Sequence, residues 1–72
     1  MRIKIRLDTA REAQKLANIA QGIDDKITIT DNNGLCVNAK SLLGVIYALE
    51  FNELWLESEY NHWGSFVDFE TR

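Results

Sequence analysis

The 72-residue chain has no proline, one cysteine, one histidine and no long apolar run. Each absence excludes something. With Cys36 as the lone cysteine there is no internal disulfide, and one cysteine with one histidine cannot build a zinc site from those ligands alone. Without proline, repeats or low-complexity sequence no linker can be drawn, so residues 1–72 read as a single domain. No apolar run approaches the roughly 20 residues of a membrane span. Arg2, Lys4 and Arg6, alternating with Ile3, Ile5 and Leu7, do not make a signal peptide. A reduced, cytoplasmic setting is the expectation. Basic residues are also few: eight against eleven acids give a net charge of −3, which argues against general nucleic-acid binding. What is present is the balance of a soluble globular chain, 46% hydrophobic and 26% charged, with a small core and nothing covalent to hold it.

The charge is unevenly placed. Residues 1–40 carry seven basic and five acidic side chains, a balance of +2, while residues 41–72 set Arg72 against six acids, a balance of −5. Two readings follow: solvated faces that pair across the fold, or a basic docking surface near the N-terminus.

Periodicity gives the elements. Arg2 to Leu7 alternates strictly and predicts a half-buried strand. At Thr9 the period changes: Thr9-Ala10-Arg11-Glu12 has the form of a capping box, with Thr9 as N-cap and Glu12 reaching back to its amide. Ala13, Leu16, Ala17 and Ala20 then recur at helical spacing until Gly22. Lys26 to Thr30 alternates again, and Asp31-Asn32-Asn33-Gly34 is a turn signal, so Leu35 to Val37 returns and residues 26–39 form a hairpin. A second helix is expected from Lys40-Ser41, carrying Leu42, Leu43, Ile46 and Leu49 inward. A fourth strand over Glu53 to Glu59 puts Leu54 and Leu56 in and Trp55 out. The order β-α-β-β-α-β predicts an α+β open-faced sandwich, a four-stranded antiparallel sheet with its helices on one face. If the first and fourth strands are neighbours, Arg2, Lys4 and Arg6 lie across from the glutamates of the fourth. Residues 60–72 read as a short helix or a packed irregular tail, with a returning strand as the alternative. Trp63, Phe66 and Val67 are spaced for a short helix that plugs the core. A strand over Ser65 to Glu70 needs a free edge that this order does not obviously supply.

Few residues carry chemistry. His62 reads as a surface-loop histidine, and Cys36, with no basic neighbour, as an inert thiol. No nucleophile–base pair can be assembled from one histidine and one cysteine, so no enzyme activity and no cofactor are expected. Asp24, Asp25 and Asp31 are turn-forming acids, too few for a calcium loop. Trp55, Tyr47, Tyr60 and Trp63 serve either the core or an apolar contact surface. Ser41, at a helix start, sits where the positive end of the helix dipole favours an anion. It is either a plain N-cap or a site for phosphorylation.

The segment Val37-Asn38-Ala39-Lys40-Ser41-Leu42-Leu43-Gly44-Val45 resembles the regulatory-serine segment of the HPr family, small phosphocarrier proteins of the bacterial sugar phosphotransferase system. There a hairpin strand runs into Asn-x-Lys-Ser-aliphatic-aliphatic-Gly-aliphatic at the start of a short helix. The match slips after Val45, where Ala48 stands in place of the family's leucine. The family also carries a phosphorylated histidine in a Gly-[Ile/Leu]-His-Ala-Arg-Pro-Ala segment. Here the corresponding residues are Leu7 to Ala13: Ala10, Arg11 and Ala13 match, Thr9 stands at the histidine's place and Glu12 at the proline's. A threonine phosphoester is too stable to pass its group onward. The resemblance covers most of residues 1–59 and fails over the C-terminus, where the family has a full amphipathic helix.

The resemblance implies an HPr-like regulatory protein without phosphotransfer, similar to the catabolite-repression paralogue of HPr. It implies Ser41 as the phosphorylation site, with Arg11, Lys40, Leu42 and Leu43 as anion or partner contacts. An HPr-type kinase and a transcription regulator are the implied protein partners. The alternatives are a binding module on the same scaffold with no phosphorylation, and an atypical phosphocarrier using another residue.

Overall fold

The computed structural model describes residues 1–71. In chain order its elements are β1 (Arg2–Ile5), α1 (Ala10–Gln21), β2 (Ile27–Thr30), β3 (Cys36–Asn38), α2 (Leu42–Ala48), β4 (Leu54–Ser58) and α3 (Trp63–Phe66), followed by a 3-10 turn over Val67–Phe69. The four strands form one antiparallel sheet in the order β1-β4-β2-β3. The protein is thus an α+β open-faced sandwich, as the alternating pattern predicts.

Register explains the two faces. Ile3, Leu56, Ile29 and Val37 lie side by side across the sheet, and Ile5 pairs with Leu54. Since strand side chains alternate, these rows share one face. There Ile5, Ile27, Ile29, Leu54 and Leu56 join one buried cluster with Leu16, Ala17 and Ala20 of α1 and Val45 and Ala48 of α2. The inner face of α1 is mostly alanine, which lets the helix lie close to the sheet. The opposite face carries Arg2, Glu57, Thr28 and Asn38 in one row and Lys4, Trp55, Thr30 and Cys36 in the next.

The expected charge pairing holds for one residue of three. Arg2 sits opposite Glu57, and its Nε is 2.9 Å from Oε2. Lys4 instead faces Trp55, and Arg6, beyond the end of β1, pairs with Asp8 at 3.1 Å. Both ion pairs are solvated, so each contributes about 0–1 kcal/mol. The Arg2 guanidinium also stacks over the Trp55 ring, 4.0 Å from its centroid. Beneath it the Trp55 indole nitrogen is buried without a hydrogen-bond partner. An orphan N–H of this kind costs about 1–3 kcal/mol, on the scale of the cation–π attraction and ring contact that Phe gives up there. Trp55→Phe is therefore expected to leave the urea midpoint nearly unchanged, and a clear fall would show that the indole contributes to stability.

The hairpin turn is built as its sequence suggests. Asn32 and Gly34 take positive φ angles of 67° and 101°. The buried Asp31 accepts the amides of Asn33 at 2.8 Å and Leu35 at 3.1 Å through Oδ1. At the start of α1, Thr9 Oγ1 accepts the Glu12 amide at 3.2 Å, but Glu12 reaches the amide of Asp8 at 2.9 Å, one residue before the one expected.

Two expectations need correction. In α2 the inward residues are Val45 and Ala48, with Leu49 half-buried; Leu42, Leu43 and Ile46 are exposed. The reason lies at Gly44, where an added Cβ would stand 3.2 Å from the carbonyl oxygen of Asn38 and 3.4 Å from Val37 Cβ. The helix turns Gly44, Val45 and Ala48 inward, approaches β3 closely at Gly44 and leaves Leu42, Leu43 and Ile46 outside. In the C-terminal segment the short helix forms, but its plug is Phe66 with Phe69, while Trp63 stays 47% exposed. The chain then takes a free edge that the sheet does supply, the outer side of β1. Arg6 N–H donates to Phe69 O and Thr71 N–H to Lys4 O, each at 2.9 Å, and Ile5 pairs with Glu70.

Candidate functional site at the start of the second helix

Asn38 organises the passage from β3 into α2. Its side-chain oxygen accepts the Lys40 amide at 2.9 Å, and its carbonyl accepts the Ser41 amide at 3.0 Å. From the other side Gln21, the last residue of α1, donates its side-chain amide to Lys40 O at 2.9 Å. Ser41 is thereby held with extended backbone as the N-cap of α2, and its Oγ accepts the Gly44 amide at 3.2 Å. The hydroxyl remains exposed.

Beyond Ser41 lies the outer face of α2. Leu43 is 80% exposed and Tyr47 55%, with Leu42 and Ile46 at 37% each. Tyr47 packs edge-on against Phe51, their ring centroids 5.7 Å apart. Four apolar side chains in water on a seven-residue helix form a patch rather than isolated exposures. A phosphate on Ser41 would set about two negative charges at its margin.

The other singled-out residues, Lys40 excepted, lie on other elements. Thr9 caps α1, whose start adjoins the end of β1, and its Oγ1 lies 3.5 Å from a carboxylate oxygen of Glu12. Arg11 is exposed on α1, and Lys40 is half-buried beside Ser41. Cys36 is a free, exposed thiol on the edge strand β3. Among the described residues no group of three or more His, Cys, Asp or Glu side chains is placed to hold a metal ion, and no helix is long and apolar enough to cross a membrane.

His62 is the residue whose surroundings differ most from expectation. It is half-buried, and its Nε2 donates to Asp25 Oδ2 at 2.8 Å. That bond is the main reason the Asp25 carboxyl lies below its ordinary value of 3.8. Burial opposes the lowering, and the amides of Tyr60 and Lys26 add to it. The two residues stand 37 positions apart, and no local pattern joins them.

No protein-family model, curated protein or solved structure matches this chain.

Proposed function

We propose that this chain is an HPr-like regulatory protein that does not transfer phosphate and acts by protein–protein contact, with Ser41 as its phosphorylation site. The observation that carries the reading is the exposed Ser41 hydroxyl beside the uncovered apolar face of α2. A dianion there would change what that face offers a partner without breaking the helix. The element order β-α-β-β-α-β supports the reading. So does Thr9, where a phosphate would meet the carboxylate of Glu12 at close range. On this proposal the protein works in the cytoplasm, with an HPr-type kinase and a transcription regulator as partners and Lys40, Leu42, Leu43 and Arg11 among its contacts.

A second reading, a binding module without phosphorylation, draws on one observation: the Ser41 oxygen is already engaged as a helix cap. Intact mass after incubation with ATP and an HPr-type kinase separates the two. One added phosphate is expected, and it disappears in Ser41→Asn, a variant that keeps the cap. No addition, or an addition that persists in the variant, overturns the proposal. Phosphoenolpyruvate with the first enzyme of the phosphotransferase system is expected to leave the mass unchanged. A labile phosphate appearing there favours the phosphocarrier instead.

A further inference from the structure

Residues 59–65 bury no apolar side chain: His62 is half-buried and the other six are exposed. Apart from the Ser58 hydroxyl, which donates to the Tyr60 carbonyl at 2.5 Å, and the Trp63 indole, which donates to Glu70, what ties this stretch to the body of the protein is Asp25, in the loop between α1 and β2. Its side chain is only 6% exposed, and both of its oxygens are engaged. Oδ1 accepts the Lys26 amide at 2.8 Å, and Oδ2 accepts both the Tyr60 amide at 3.2 Å and His62 Nε2 at 2.8 Å. Two of the three donors therefore come from the C-terminal segment. Further along, the attachment changes in kind. Phe66 is fully buried, Phe69 is 8% exposed, and backbone hydrogen bonds fasten the chain to β1.

We propose that residues 59–65 are a strap latched by Asp25, which opens in acid while the sheet and the Phe66–Phe69 plug stay closed. Segments with few buried apolar contacts open at lower free energy than the core. Here the hydrogen bonds that reach the stretch from outside β4 and the C-terminal segment go to one carboxylate. Protonation removes its charge and makes one oxygen a donor, so the N–H groups that face that oxygen lose a charged acceptor and meet a proton instead. The folded carboxyl lies below its ordinary value of 3.8, so the latch is fully in place above that pH and is lost as pH falls through the lower folded value. The charged and titratable groups near the latch are Asp24 and Lys26 beside it in sequence, and Glu59, Tyr60 and His62 on the strap. Trp63 is held separately, its indole N–H donating to Glu70 at 2.9 Å, so it is not the reporter of this step.

The test follows backbone amide resonances from pH 7 to pH 2. The Tyr60 amide is expected to shift in a step below pH 3.8 at which the Ile29 and Leu56 amides do not move. In Asp25→Asn the step disappears, and the Tyr60 amide is already displaced at pH 7; Asp24→Asn keeps the step. His62→Gln, which leaves the carboxylate in place, moves the step upward towards the ordinary carboxyl value. Tyr60, Ile29 and Leu56 changing together in one transition would overturn the proposal. So would a step that survives Asp25→Asn, or one that stays in place in His62→Gln.

Discussion

Phe66→Ala is expected to leave most of the molecules unfolded near body temperature. Phe66 is the largest side chain with no exposure, and it comes from a helix of four residues that has little stability of its own. Removing a buried phenyl ring costs about 3–5 kcal/mol, through lost transfer free energy and the cavity left behind. A chain of this length without disulfide or metal has a total on the order of 5 kcal/mol. The loss has a structural route as well: the ring anchors the segment that covers the outer edge of β1, so the edge bonds at Lys4 and Arg6 go with it. Urea unfolding followed by circular dichroism checks this. A midpoint close to that of the unaltered chain would mean that the C-terminal segment contributes little to the fold.

The second large effect is expected at Leu56. It has no exposure and lies between Ile3 and Ile29, in the row that crosses the whole sheet. Leu56→Ala is expected to cost about 2–5 kcal/mol. The same change at Leu43, which is 80% exposed, removes no buried contact and is expected to stay within about 0.5 kcal/mol. The pair separates packing from docking. Loss of a partner's binding in Leu43→Ala with an unchanged urea midpoint identifies the α2 face as a contact surface, whereas a large stability loss there would place Leu43 in the core.

How far the sequence reaches depends on how many residues vote on each element. In β1, β2 and β4 several alternating positions agree, and Ile27, Ile29, Leu54 and Leu56 are buried as the alternation requires. In α1 the capping residue and four inward positions agree as well. In α2 they do not. Counted with Tyr47 and Ala48, the residues Leu42, Leu43, Val45, Ile46 and Leu49 leave only the Gly44 side of this short helix without an apolar side chain, so apolar periodicity selects no face. The choice is made by Gly44 and Ala48, whose small size allows close approach to β3, a property visible only once the neighbour is in place. The C-terminal segment depends on strand order: with β1 at the edge of the sheet a free side exists, and Glu70 takes it. Within the candidate site, the Ser41 cap is readable from the residues around it. The contribution of Gln21, nineteen positions before Lys40, is not, and neither is the link between Asp25 and His62.

The sheet ends differently on its two sides. The C-terminal segment covers the outer edge of β1, while β3, three residues long and set between the Asp31 turn and α2, is the uncovered margin. An open edge is where sheets of separate molecules join, and a very short one gives an incoming strand little to hold. The protein therefore guards itself against fibrous association asymmetrically, by cover at one margin and by brevity at the other. Lengthening β3 would remove the second safeguard even if every core contact were kept.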